Sequence, residues 1–324
     1  MTIAIPTSLH LTLDEPERNE IRTLAERLCQ TRPALLDDPL WLAAAREYSC
    51  DLPVALRRAL RRFSADSGRE GAIQLHGLPS GSTHPTPTER ESVERATTVP
   101  ASASVMCAMA LGEVVAFRAE KRGAVVHNVV PVPGEEGVQS NAGSRVMMEM
   151  HIENAFHPHR PDYVALACVR PDPTGSAGLR VASIRRALGL LSIDERIVLA
   201  EPRFRTEPPP SFTGGGCADL EPHPVFTGEY EDPDVKVDFN ATESLDPSAG
   251  RVMASLREAL EAVTDTVYFE PGDVVIVDNR VALHGRTAFE PRYDGHDRWL
   301  HRVFIQADGR RSRAMRPGGD HVID

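Results

Sequence analysis

The chain has 324 residues with 47 acidic against 36 basic side chains, a formal net charge of −11 and an apolar fraction of 41%, which suits a sizeable core and argues against a nucleic-acid partner, since that would want a basic face. No apolar run approaches the roughly eighteen residues that span a bilayer, and the opening Met1-Thr2-Ile3-Ala4-Ile5-Pro6-Thr7 has no basic n-region followed by an apolar core, so no secretion signal is read. Cys29, Cys50, Cys107, Cys168 and Cys217 are scattered without a Cys-x-x-Cys spacing and read as reduced thiols of a cytoplasmic protein rather than a disulfide framework or zinc site.

In chain order, Glu15 to Gln30 reads as a helix, because Ile21, Leu24, Ala25 and Leu28 recur at helical spacing behind Thr12 or Asp14 as cap. Pro39 to Tyr48 and Leu52 to Phe63 follow as further helices, the second with Arg57, Arg58, Arg61 and Arg62 on a solvated face. Gly71 to Pro79 is the first strand candidate, and Ser80 to Pro100 is a polar surface loop broken by Pro85 and Pro87. Helical and strand signals resume at Ala103 to Phe117. Phe117 to Val132 reads as a strand pair turning at Arg122-Gly123, placing Glu120, His127 and Asn128 as candidates to face a site. Beyond it, Val146, Met148, Met150 and Ile152 alternate, so His151 and Glu153 would share the opposite face of one strand.

Residues 202–224, with Pro208-Pro209-Pro210 and Gly214-Gly215-Gly216, form a long irregular stretch of the kind that serves as a mobile cover. Ala249 to Val263 is an apolar-striped helix. Pro271-Gly272 then opens a buried strand up to Arg280, shortly before His284. In the strand around Trp299 to Gln306, Trp299, Val303 and Ile305 share one face while Arg298 and Arg302 share the other. Two inward guanidinium groups are costly unless they meet anions, and each matches a carboxylate through paired hydrogen bonds. After Gln306 a basic Gly/Pro-rich tail reads as disordered or as a surface strap.

The chemistry lies in two segments 133 positions apart, Met150-His151-Ile152-Glu153 and Asp278 to Arg286 around His284. A His-x-acid triplet is weak by itself, since about 1.7 are expected by chance from 12 His and 47 acids. A His-x-Glu pair joined by a remote His is nevertheless what holds one face of an octahedral ferrous ion while leaving the other open. His157 and His159 are separated by Pro158, which spoils the strand geometry a second metal site would need.

The run from His151-x-Glu153 through Asp278-Asn279-Arg280 and His284-Gly285-Arg286 to Asp297-Arg298-Trp299-Leu300, with 14 positions from His284 to Arg298, resembles the iron(II)/2-oxoglutarate oxygenases of the clavaminate synthase-like, TauD-related group. That group includes 3-hydroxylases of free arginine, asparagine and lysine. The resemblance implies a mainly β fold with flanking helices around a double-stranded β-helix, or jelly-roll, core. Residues 1–324 would be a single oxygenase domain, with N-terminal helices over 1–66, the core over 70–307, a lid around 202–224 and a tail over 308–324.

By the same resemblance His151, Glu153 and His284 would ligate Fe(2+), Arg298 would clamp the distal carboxylate of 2-oxoglutarate, and Arg302 would take the substrate carboxylate. Asp238 would meet the substrate side chain, Asn141 and Ser144 would be substrate-side contacts, and Glu120 is added to the substrate-binding set. A carboxylate at 153, where related halogenases carry a small residue, implies hydroxylation with O2. The chain departs from the group at Ile152, where Thr is usual, at Leu179-Arg180, where a Thr near the cosubstrate is usual, and at Asn240, where arginine-specific relatives carry Asp. The expected activity is hydroxylation of a free L-amino acid with a polar or cationic side chain, at C3, releasing succinate and CO2, in natural-product biosynthesis. A carrier-bound substrate, desaturation, a zinc hydrolase and a non-catalytic jelly-roll binder are the alternatives, and a protein partner is left open.

Overall fold

The strands Tyr163–Arg170, Val274–Asp278 and Trp299–Gln306 are buried along almost their whole length. Their alternate residues enter two different apolar clusters, with Ala165, Ile276 and Val303 on one side and Leu166, Val275 and Phe304 on the other. Strands apolar on both faces belong in the middle of a sheet covered on both sides. In the computed structural model of the protein, which describes residues 9–214, 220–316, 318 and 320–324, they do lie there. The large sheet runs Leu9–Thr12, Ala72–His76, Val274–Asp278, Tyr163–Arg170, Trp299–Gln306, Glu113–Phe117, Val322–Ile323, with Val126–Val129 also pairing to Trp299–Gln306. Its pairs are antiparallel except at the two ends of this path.

A second, four-stranded antiparallel sheet runs Asp265–Val267, Leu179–Ser183, Ala282–Arg286, Met148–His151. Leu179, Val181 and Ala282 join the same cluster as Leu166 and Phe304, so the two sheets face each other across a shared core. The helices Glu15–Gln30, Pro39–Ser49, Val54–Ala65 and Val99–Met109 cover the outer face of the large sheet. Pro247–Ala262 covers the smaller one through Val252, Leu256 and Leu260. The first helix begins where Asp14 and Glu17 close a reciprocal capping box, at 2.9 and 3.0 Å, a device worth about 1 kcal/mol. The expected mainly β fold with flanking helices is what is observed.

Several local expectations differ. Residues 117–132 are not a hairpin: Glu113–Phe117 and Val126–Val129 each pair with Trp299–Gln306, because the turn Lys121–Gly123, with φ of +49°, +55° and +70°, carries the chain onward along one long partner. Leu9–Thr12, unread from sequence, adds a parallel edge strand. The supposedly irregular 202–224 stretch contains a strand, Phe204–Thr206, and a helical turn, Pro210–Thr213, while Gly215, Gly216 and Cys217 lie outside the described residues, as does the Met1-to-Thr7 start. The tail is a strap rather than a free end, with Val322–Ile323 paired beside Ala116 and Phe117 and Ile323 fully buried. The four described cysteines are free thiols, and among the described residues no helix is long and apolar enough to cross a membrane.

Candidate metal centre and substrate cavity

His151 and His284 are register partners on neighbouring antiparallel strands, which brings two residues far apart in sequence to a ring-centroid distance of 4.5 Å. The strands come together there because residue 285 is glycine: a Cβ at Gly285 would lie 2.6 Å from the Met148 carbonyl oxygen. With Met150, Ile152 and Leu283 turned outward into the helix-side cluster, the two imidazoles point between the sheets. Glu153 departs from the expected geometry. The strand ends at His151 and Glu153 sits in the following turn, and its carboxylate still arrives 3.5 Å from His284 Nε2. One donor atom from each of His151, Glu153 and His284 lies within 4.8 Å of the others, and all three side chains are buried.

What holds Glu153 in place of a strand is Asn279, a fully buried residue whose role the sequence did not disclose. Its Oδ1 accepts from the Glu153 N–H at 2.7 Å, and its Nδ2 donates to the Glu153 and Pro161 carbonyls at 3.1 and 2.9 Å. In the sequence it stood as a carboxamide directly after a buried strand, within the Asp278-Asn279-Arg280 segment of the resemblance, with no role attached. His151 Nδ1 donates to the Glu149 carbonyl at 2.9 Å, which fixes the tautomer and leaves Nε2 with a free lone pair, as a metal-binding imidazole requires. Burial opposes the Glu153 charge, but the Arg302 guanidinium and His284 hold its carboxyl well below the usual range. Two neutral nitrogens and one anionic oxygen on one side of a buried space fit a ferrous ion, whose remaining positions stay open.

Arg302 is 3% exposed and shared between two carboxylates. It donates to Glu153 Oε1 at 2.8 Å, to Glu120, and to His127 Nδ1 at 2.9 Å, with the Phe304 ring 4.6 Å from its centre. Arg302 Nε is buried without a hydrogen-bond partner among the described residues. Burial, partly offset by Arg302, raises the Glu120 carboxyl above its ordinary range. Both residues line a cavity of about 480 Å³, bounded also by Asn141, Asn154 and the Pro209-to-Phe212 turn.

The other predicted residues divide. Arg298, 4% exposed, has no hydrogen-bond or ion-pair partner among the described residues, and burial pushes its guanidinium down to about 10. It opens on a small separate space of about 20 Å³ beside Asp172 and Phe269. Arg286, two residues after His284, spends its donors on the Gly143 and Val146 carbonyls; burial and neighbouring Arg298 push it down to about 9. Asp238 is brought against the site by a backbone bridge to His151, and its carboxylate accepts from the Asn240 N–H at 2.8 Å. Asn141 reaches the cavity wall, but Ser144 does not: it is fully buried, with its N–H on Glu136 and its carbonyl on Phe289. Arg180 faces away from the core and pairs with Glu261.

The protein family described as taurine catabolism dioxygenase TauD, TfdA family matches residues 43–304 of this chain. The chain is 47% identical over 315 residues, 97% of its own length and 94% of the relative's, to the L-asparagine oxygenase of Streptomyces coelicolor. It is 32% identical over 319 residues, 97% of this chain and 88% of the relative, to the L-lysine 3-hydroxylase of Catenulispora acidiphila. Its fold superposes with a TM-score of 0.93 at 46% identity, covering 97% of this chain and 98% of the other, on an asparagine oxygenase solved with Fe(II), 2S,3S-3-hydroxyasparagine and succinate.

Proposed function

The chain belongs to the taurine catabolism dioxygenase TauD, TfdA family, and from that premise we propose that it hydroxylates free L-asparagine at C3. It is an iron(II)/2-oxoglutarate-dependent oxygenase acting on a free amino acid with a polar or cationic side chain. The observation that carries the assignment to a free amino acid is a cavity lined by both a guanidinium, on Arg302, and a carboxylate, on Glu120. One suits an α-carboxylate and the other an α-ammonium, and a cavity of about 480 Å³ has room for the rest of a small zwitterion.

His151, Glu153 and His284 would hold the iron, and the bound iron with 2-oxoglutarate and dioxygen supplies the oxidising power for C–H hydroxylation, releasing succinate and carbon dioxide. The chain's own work is placement. Arg298, a buried cation with no ion pair among the described residues, would receive the distal carboxylate of 2-oxoglutarate. Arg302 and Glu120 would grip the two charged groups of the amino acid, and Asp238 and Asn141 would meet its carboxamide, fixing which carbon faces the metal. Ser144, away from the cavity lining, would act by shaping the 138–144 loop. The Pro209-to-Phe212 turn, which borders the cavity, would be part of a cover that limits water.

The two facing sheets support reading the core over 70–307, joined by the edge strand Leu9–Thr12, as a jelly-roll, with the helices between Glu15 and Ala65 packed on it in one unit. The free thiols suit a cytoplasmic setting. The test is succinate release by anaerobically reconstituted iron(II) protein against each free L-amino acid, with product mass. A gain of one oxygen on asparagine is the expected result. Succinate formed with no amino acid altered would overturn the free-substrate assignment.

A further inference from the structure

We propose that His127 is a positioning residue that fixes the orientation of Arg302 toward the substrate. The inference rests on the assignment of Arg302 to the amino-acid carboxylate. His127 is 1% exposed, and both ring nitrogens are committed, Nε2 to the Ala124 carbonyl at 2.9 Å and Nδ1 to an Arg302 terminal nitrogen at 2.9 Å. A carbonyl cannot donate and a guanidinium cannot accept, and Glu120 Oε1 lies 3.7 Å from Nδ1, beyond hydrogen-bond range, so the two hydrogen bonds leave one arrangement: Nε2 carries the proton and Nδ1 offers a lone pair. Protonating Nδ1 would set N–H against N–H beside a cation. In agreement, burial and then Arg302 push the imidazole well below its ordinary range.

Arg302 needs such a partner. The terminal nitrogen that meets His127 is also the one that meets Glu120, and the other terminal nitrogen meets Glu153. Without the neutral lone pair, only two carboxylates restrain the fork: Glu153, which would be drawn toward a metal, and Glu120, which would be drawn toward a substrate ammonium. A third, uncharged acceptor anchored to the backbone at residue 124 holds the guanidinium while those charges are shared with iron and substrate. The Phe304 ring supports the arrangement from below, edge-to-face with His127 at 5.3 Å. His127 itself does not line the cavity.

The test uses two substitutions with opposite virtues. His127→Phe keeps a planar ring against Phe304 and removes both polar contacts. His127→Asn loses ring packing but places a carbonyl oxygen where Nδ1 stood. With the anaerobic iron(II)/2-oxoglutarate protein, His127→Phe should weaken L-asparagine binding by about ten- to a hundredfold, as expected for loss of a hydrogen bond to a charged group, with 2-oxoglutarate affinity changed by less than about twofold. His127→Asn should recover most of the loss. A packing role orders the variants the other way, so asparagine binding in His127→Asn as weak as in His127→Phe, or weaker, overturns the inference.

In the wild-type protein without metal, the imidazole ¹⁵N shifts should report a protonated Nε2 and a bare Nδ1. A protonated Nδ1 overturns the inference without any variant having to fold. Arg302→Met separates the two readings. If it leaves asparagine affinity intact, the assignment of Arg302 to the substrate fails; if it weakens binding while both His127 variants do not, only the role of His127 fails.

Discussion

Replacing Arg298 by Met should make the protein more stable in the absence of 2-oxoglutarate and indifferent to its addition. Arg298 is buried without an ion-pair partner among the described residues, and burial lowers its guanidinium by more than two pH units, to about 10. At about 1.4 kcal/mol per tenfold change, that fall corresponds to roughly 3 kcal/mol against the charged form in the folded protein. Exchange of a buried cation that has no ion pair for an apolar side chain of similar length removes this cost, in the same direction as the roughly 1–4 kcal/mol gained when buried ion pairs are replaced by apolar residues. At about 2.1 cal/mol/K of unfolding entropy per residue, a gain of ~3 kcal/mol in a chain of 324 residues raises Tm by about 4 °C.

The wild type should recover the difference when ligand arrives, since 2-oxoglutarate at a hundred times its Kd adds about 2.7 kcal/mol. Melting curves of both proteins, taken anaerobically with iron(II) and with or without 2-oxoglutarate, should therefore converge or cross. A variant that melts lower than wild type without 2-oxoglutarate, yet keeps the full ligand-induced rise, would refute the reasoning and make Arg298 a structural group.

Asn279→Asp should keep an acceptor for the Glu153 N–H but lose the donors to two carbonyls; an equilibrium metal titration should show iron affinity down about ten- to a hundredfold, as for other groups that orient a ligand, and an unchanged affinity would detach Asn279 from the site. Asp238→Ala should keep its backbone bridge to His151 while lowering hydroxyasparagine yield per succinate released, and a yield independent of position 238 would remove Asp238 from side-chain recognition. Lys121 lines the cavity, and burial, then repulsion from Arg302, pushes its ammonium down from 10.5 to about 8. A group whose folded pKa is lowered binds fewer protons folded than unfolded between those values, so stability should rise from pH 8 to pH 10.5. In chemical denaturation across that window Lys121→Met should flatten part of the rise, and an unchanged slope would show the ammonium to be fully solvated.

Much of the site was legible because its signals are local. Alternation around Met148 and Met150 put His151 on the core side, the β-branched run before Arg280 marked a central strand, and the parity of Arg298 and Arg302 turned both inward. The first helix was legible from its cap and stripe to its ends, Glu15–Gln30. The failures have a common form. Alternation predicted that Glu153 continues the strand, but a carboxamide 126 positions away replaced the ladder there. It also predicted a hairpin at 117–132, where the left-handed turn at Lys121–Gly123 sends the chain along a third strand instead.

The sequence by itself determined which side chains would be buried and which of them carry charge, because burial preference and strand period are written within a few residues of one another. Only the tertiary structure decided the partners. The pairing of His284 with His151, the close approach permitted by Gly285, the commitment of Arg302 to two carboxylates and a neutral imidazole, and the isolation of Arg298 all depend on register between distant strands. Register is set by the packing of the whole core, and a polar atom becomes an unsatisfied, ligand-seeking group only after that packing has removed water from it.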